Sequence, residues 1–166
     1  DIDIFVTSGA ISAGKFDFIP ELIKELSFKT YFKGVSIKPG RPIMLSKFKR
    51  KEKLFFGLPG NSISCAAGFR FFIYPLLRNS LGMLKEKKFK AQLINKYSKL
   101  KNFTHFARCL INVNTKGLGE LQVLQGQQSH RVESFVKANC WGIFPGGKEQ
   151  FKSGDIIEWV PLIPSS

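Results

Sequence analysis

The sequence is short of several things, and each shortage removes a class of protein. Only three of its 166 residues are cysteine, Cys65, Cys109 and Cys140, and no two of them form a CxxC pair. A disulfide framework and a zinc site therefore find no support, and buried free thiols are the favoured reading. No apolar run reaches the roughly 18 residues that a membrane-spanning helix needs. The usual nucleotide fingerprints, a phosphate loop ending in GK[ST] and a GxGxxG turn, are missing, and so is a GxSxG nucleophile elbow. Acidic residues are scarce, 12 against 26 lysines and arginines, for a net charge of +14. Such an excess attracts polyanions, phosphates or acidic partners without choosing among them. No secretory signal pattern is visible. The chain opens on Asp-Ile-Asp-Ile and runs directly into a strand-like segment, so we expect further chain upstream and give the missing signal little weight.

The lysines crowd into 85-KEKKFKAQLINKYSKLK-101. That stretch could be a nucleic-acid patch. The preferred reading is a solvated linker and strand edge, where lysine discourages edge-to-edge pairing, because no zinc-finger spacing or RNA-binding aromatic motif accompanies it. Neither nucleic acid nor membrane is expected as a partner.

What is present has two textures. Over residues 1–84 short apolar runs alternate with helical patterns. Strands are expected at Asp3–Thr7, Tyr31–Ile37 and Leu54–Phe56, with Ile43–Phe48 pairing in the sheet or forming a hairpin arm. An amphipathic helix is expected over Asp17–Leu26, with Phe18, Leu22, Ile23 and Leu26 at helical spacing. A longer helix is expected from Asn61 or Ser62, as N-cap, to a stop at Gly82. It is apolar on most faces, so burial on most faces is predicted, with Pro75 kinking its last turns. This order implies an α/β layer fold, in which three or four strands are few. Over residues 85–166 short runs such as 106-FARCLINV-113, 120-ELQVLQ-125, 139-NCWGIF-144 and 155-DIIEWVPL-162 predict a small all-β, barrel-like domain.

Four loops carry the candidate chemistry. In 5-FVTSGAISAGKFDF-18 two small-residue steps separate a strand from a helix; glycine allows positive φ and close approach of a ligand, but a plain connection looks similar. Asp17 there could cap the helix or hold Mg²⁺ beside a phosphate. In 38-KPGRP-42 a Pro-Gly turn spaces two cations, and arginine can grip a tetrahedral oxyanion with two nitrogens; an ordinary exposed turn is the alternative. In 57-GLPGNSIS-64 a Gly-rich loop leads into a helix N-terminus, whose free N–H groups suit an anion. The fourth, 126-GQQSHRVESF-135, places Ser129, His130 and Arg131 between strands. No acid is positioned to orient His130, for which a surface or structural role is expected.

Taken in order, TSGxxSxGxxD, KPGxP, GLPGNxxS and a late GQxSH resemble the molybdopterin molybdenumtransferase family, MoeA and the C-terminal domain of gephyrin, over nearly the whole chain. The resemblance implies the second half of a molybdopterin-binding, three-layer α/β domain (1–84) followed by a C-terminal β domain (85–166). It implies insertion of molybdenum from molybdate into adenylylated molybdopterin with Mg²⁺ and release of AMP, by a cytoplasmic homodimer with possible contact to the adenylyltransferase partner enzyme. Ser8, Gly9, Ser12, Gly14, Pro59, Gly60 and Asn61 would line the pterin site. Lys38, Arg41, Pro42, Ser64, Arg108 and Ser129 would surround molybdate. Asp17 would be the metal-side acid and, with Lys38, catalytic. The chain departs from the family pattern at Ala10 (for glycine), at Lys15 (often an acid), at Gly34 (often a cation) and at Ser62 (for proline). By itself this stretch is expected to be inactive. Two other readings stay open, a molybdopterin adenylyltransferase-like enzyme, against which the late β domain argues, and a non-enzymatic, gephyrin-like scaffold or binding module.

Overall fold

The computed structural model describes residues 2–11, 18–49 and 52–164. It divides into two compact units, Asp1–Val35 with Gly40–Met83, and Ser36–Pro39 with Leu84–Ser166. In chain order the elements are β1 (Ile4–Ser8), α1 (Ile19–Glu25), β2 (Phe28–Lys33), β3 (Ile37–Lys38), β4 (Met44–Phe48), β5 (Leu54–Leu58), α2 (Ser62–Gly68), a π-helical turn (Phe69–Ile73) and α3 (Tyr74–Ser80). There follow β6 (Phe89–Leu93), β7 (Tyr97–Ser98), β8 (Thr104–Val113), β9 (Gly119–Val123), α4 (Glu133–Lys137), β10 (Cys140–Phe144), β11 (Gln150–Phe151) and β12 (Ile156–Pro161).

The first unit is a four-stranded sheet in the order β1-β5-β4-β2, parallel between β1 and β5 and antiparallel elsewhere. Successive strand residues point to opposite faces, and the two apolar clusters follow that alternation. Phe55 and Met44 pack with Ile11, Ile19 and Ile23 of the α1 side. Phe56 and Leu58 pack on the other face with Ile43, Ile73, Leu76 and Leu77. The result is three layers, with α1 on one side and the α2–α3 segment on the other.

Several expectations are corrected in detail. Tyr31–Ile37 is not one strand. Gly34 adopts φ 83°, and its N–H donates to the Ile43 carbonyl at 2.8 Å. That left-handed turn ends β2, and β3 joins the second unit. The long helix is not buried on most faces: Phe69 is 44% exposed and α3 has no fully buried residue. It lies on one face of the sheet, so only one side is covered. Its apolar stripe through Ile63, Ala67 and Ile73 is buried. Pro75 is accommodated by the π-helical turn before it, where the Tyr74 N–H reaches back to the Phe69 carbonyl. Widening the helix there relieves the clash that a proline ring makes with the preceding turn. On α1, Ile19 and Ile23 are the buried pair while Phe18, Leu22 and Leu26 remain exposed.

In the second unit five strands close on themselves as β8-β9-β6-β12-β10, with β10 pairing back onto β8. Closure removes the sheet edges. Ala107, Cys109, Leu121, Val123, Cys140, Phe144 and Ile157 fill the interior together with Ala91 and Leu93 of β6. Gly142 is demanded by that filling, because a Cβ there would stand 2.8 Å from the Cys109 sulfur. The strand β6 comes from the lysine-rich stretch, and it is a barrel stave between β12 and β9 rather than a linker. Its inward residues Ala91 and Leu93 are buried, while Lys90 and Gln92 face out. The three cysteines are free thiols; Cys109 and Cys140 are buried as expected, whereas Cys65 is only half-buried.

Candidate functional site

The first unit brings two glycine loops together. β1 and β5 run parallel, with Ser8 paired to Leu58 at their C-terminal ends. Ligands of open α/β sheets bind outside such strand ends. The Gly9 N–H donates to the Leu58 carbonyl at 2.8 Å, and Gly9 has φ 89°. A Cβ on Gly60 would lie 3.4 Å from the Gly9 Cα, so the two loops are in van der Waals contact. Ala10, the departure from the family pattern, sits at φ 55°, a left-handed conformation that glycine adopts without strain. Asn61 is the N-cap, its side-chain oxygen accepting from the Ser64 N–H at 3.1 Å. Ser64 is buried, Pro59 is buried, and Ser8 and Gly60 are exposed. Ser12, Gly14 and Asp17, with Lys15, lie outside the described residues. Among the described residues no three His, Cys, Asp or Glu side chains cluster to hold a metal ion.

The KPGRP segment is divided between the units. Lys38 and Pro39, joined by a cis peptide, belong to the second; Gly40, Arg41 and Pro42 belong to the first. The Val35 N–H donates to the Arg41 carbonyl at 2.9 Å, so the first unit closes behind the excursion. Arg41 is exposed and Pro42 half-buried. On the excursion, β3 runs parallel to the start of β8, with Ile37 opposite Thr104 and Lys38 opposite His105.

Arg108 organises the rest. It is wholly buried, at 0% exposure. Its Nε donates to the Ser134 hydroxyl at 2.8 Å, and its Nη2 to the carbonyls of Gly126 (2.8 Å) and Gln128 (3.2 Å). The guanidinium thus holds the loop that carries Ser129. Gln127 fixes the same loop from the other direction: its side chain accepts from the Arg108 N–H at 3.0 Å and donates to the Arg108 carbonyl at 2.9 Å. One edge of β8 is therefore paired in succession by β3, by the Gln127 amide and by β9. Nη1 of Arg108 is buried with no protein partner. A buried donor left open is costly unless something accepts from it. Ser129 is half-buried and His130 exposed in the turn that follows.

Beside this loop lies an open pocket of about 140 Å³ lined by Lys38, His105, Gln127, Gln128 and the 97–100 segment. No carboxylate is among the described residues that line it. Lys99 is tied down, its ammonium donating to the Phe103 carbonyl at 2.7 Å and the Leu100 carbonyl at 3.2 Å. Burial pushes its pKa down. Burial likewise raises the Tyr97 hydroxyl and lowers His105 to about 3, with Lys38, Arg108 and Lys99 adding to the latter. The pocket thus has two lysines and no described carboxylate in its lining, a charge balance that suits a small oxyanion.

Sequence reasoning identified Lys38, Arg108 and Ser129 but missed Tyr97, His105, Gln127 and Ser134. One signal was available for His105. It alternates with Ala107 and Cys109 along β8, so a histidine stands where the period-two pattern calls for an inward residue.

Fold and loops define a class: an α/β layer with glycine loops at the ends of parallel strands, followed by a closed five-stranded barrel with a basic, donor-lined loop. Comparison with known proteins gives the same class. Residues 1–79 match the family model described as a probable molybdopterin binding domain, and residues 90–162 match the MoeA C-terminal region, domain IV. The chain is similar to the molybdopterin molybdenumtransferase of Staphylococcus aureus, 31% identical over 95% of this chain and 38% of the relative. It is similar also to that of Bacillus subtilis, 30% identical over 95% of this chain and 36% of the relative. Among solved structures it matches a molybdopterin biosynthesis MoeA protein from Pyrococcus horikoshii with a TM-score of 0.72 and 28% identity, over 98% of this chain and 38% of that one. The chain belongs to the MoeA family of molybdenum cofactor biosynthesis proteins, and it spans 38% of the length of the first of these relatives. No helix among the described residues is long and apolar enough to cross a membrane.

Proposed function

We propose that this chain is the part of a cytoplasmic, homodimeric molybdopterin molybdenumtransferase that presents molybdate to adenylylated molybdopterin. The observation that carries the proposal is the second unit's pocket. Lys38 is placed by strand pairing beside β8, next to the Arg108-held loop, with Lys99 as a second lysine in the lining and no carboxylate among its described lining residues. Molybdate is a tetrahedral dianion, and such a site offers it charge and directed hydrogen bonds. Lys38 and Ser129 are assigned as molybdate ligands. Arg108 orders the loop and offers its open Nη1. Arg41, Pro42 and Ser64 of the first unit keep the same role. Ser8, Gly9, Pro59, Gly60 and Asn61, with Ser12 and Gly14, are assigned to the pterin, where Gly9 and Gly60 let backbone approach the ligand.

Asp17 is assigned to Mg²⁺, which favours one or two carboxylates plus phosphate oxygens. When bound, the metal would neutralise charge developing on the adenylyl phosphate as AMP leaves. The chain's own contribution is to hold the oxyanion close and oriented. Contact with the adenylyltransferase enzyme belongs to the same proposal. These 166 residues by themselves are expected to bind oxyanion without turnover. The test is calorimetric titration of molybdate and tungstate into the chain. Saturable binding at micromolar to millimolar concentrations, weakened by Ser129→Ala, is expected. No binding of either oxyanion by the wild type refutes the assignment.

A further inference from the structure

One side-chain cluster at the pocket has its hydrogen bonding left incomplete. His105 is 4% exposed; its Nδ1 is bonded to the Tyr97 hydroxyl, and its Nε2 is buried with no partner. Parallel pairing sets Lys38 opposite His105, and side chains at paired positions share one face of a sheet. The same two residues line the 140 Å³ pocket, which has room for a small tetrahedral ion. A barrel interior at this point would be better filled by an apolar residue, since a buried, unpaired imidazole nitrogen is costly. A ligand that completes the bond removes that cost.

Both partners of that bond are neutral, and the tautomer of His105 sets which of them donates. Burial raises the Tyr97 hydroxyl, so it stays a phenol, and it holds His105 at about 3, so the ring is neutral near pH 7. When the phenol O–H donates to Nδ1, the one ring proton sits on Nε2. We propose that His105 is an oxyanion-binding residue of this pocket, donating its Nε2–H to a tetrahedral oxyanion whose charge Lys38 balances. The inference rests on the reading of Lys38 as an oxyanion ligand and adds to it a neutral, directional donor. Two sources share this chemistry, free molybdate and a phosphoryl group of the pterin substrate. Titrating molybdate, tungstate and inorganic phosphate in parallel tells them apart, the source being the one bound most tightly.

The test compares wild type, His105→Phe and His105→Gln by calorimetry. His105→Phe is expected to weaken the preferred oxyanion roughly tenfold, the worth of one hydrogen bond to a charged group. His105→Gln keeps an N–H donor and is expected to stay within about threefold of wild type. In the wild type, imidazole 15N shifts should report a proton on Nε2 at pH 7 and should move when oxyanion is added. Should His105→Phe fail to fold, this last measurement decides alone. The inference is overturned if His105→Phe binds as well as wild type while Lys38→Ala is weakened, if Phe and Gln variants lose affinity equally, or if the 15N shifts ignore the oxyanion. Absence of any oxyanion binding by the wild type would instead defeat the proposed function itself.

Discussion

Replacing Arg108 by methionine tests how the 126–131 loop is held. The substitution keeps an unbranched chain in the site and deletes three hydrogen bonds, two at 2.8 Å and one at 3.2 Å. Hydrogen bonds to a charged group contribute about 1.5–3 kcal/mol each, so the gross loss is roughly 5–9 kcal/mol. Two effects reduce it. Removing a buried guanidinium, which no described carboxylate pairs with, returns several kcal/mol of desolvation. The freed carbonyls also keep other donors: the Ser134 hydroxyl reaches Gly126 at 2.9 Å, and the Arg131 N–H reaches Gln128 at 3.0 Å. A net destabilisation of about 2 kcal/mol is expected, with most of the loosening in the loop. Urea unfolding followed by the buried Trp141 reads the global term. Hydrogen exchange at the Arg131 amide reads the local one. Arg108→Lys should behave like the methionine variant, because one ammonium cannot reproduce the fork made by Nε and Nη2. A change under 0.5 kcal/mol together with unchanged protection at Arg131 would refute the account of Arg108 as the organiser of this loop.

Two further predictions concern stability. His105 has a folded pKa of about 3 against an ordinary 6.5. The unfolded chain therefore binds the extra proton first, and the stability contributed above pH 6.5 is lost as pH falls toward 3. Between pH 7 and pH 5 the loss from this group is about 2 kcal/mol. Urea midpoints across that range should show it in the wild type and not in His105→Gln; parallel slopes in both proteins contradict it. Ala10→Gly should stabilise the first unit by about 0.5–1 kcal/mol, since alanine is strained at φ 55° and the strain outweighs glycine's greater freedom when unfolded. A lowered melting temperature for Ala10→Gly would show that Ala10 is unstrained where it sits.

Much of the fold was legible because its signals are local. The alternation that separates Phe55 from Phe56 marks β5, and Asn61 before an apolar period marks the start of α2. The barrel staves were legible from short runs between turns. Two kinds of feature were not. One is long-range pairing: nothing local in 31-YFKGVSIK-38 says that Gly34 ends one strand and that Ile37 and Lys38 belong to the second unit, where they pair with Thr104 and His105. The other is the cost of burying charge. Arg108 and Ser129 were recognised from motifs as ligands, but periodicity cannot reveal that the Arg108 guanidinium is committed to the carbonyls of Gly126 and Gln128. Tyr97 and His105 carry no motif, and their contact depends on β7, paired with β11 outside the barrel, reaching β8. The lysine-rich stretch misled for a related reason: its charge conceals Ala91 and Leu93, which alternate with Lys90 and Gln92 into the core, and Lys99, which is itself buried.

The central claim is that the pocket beside β8 is an oxyanion site built on Lys38. It is tested most directly by titrating tungstate into the chain and into Lys38→Ala at fixed ionic strength. The account predicts saturable, one-to-one binding by the wild type and at least a tenfold loss in the variant, about 1.4 kcal/mol or more, with no change in melting temperature. Equal affinity in the two proteins, or no binding in either, would contradict it.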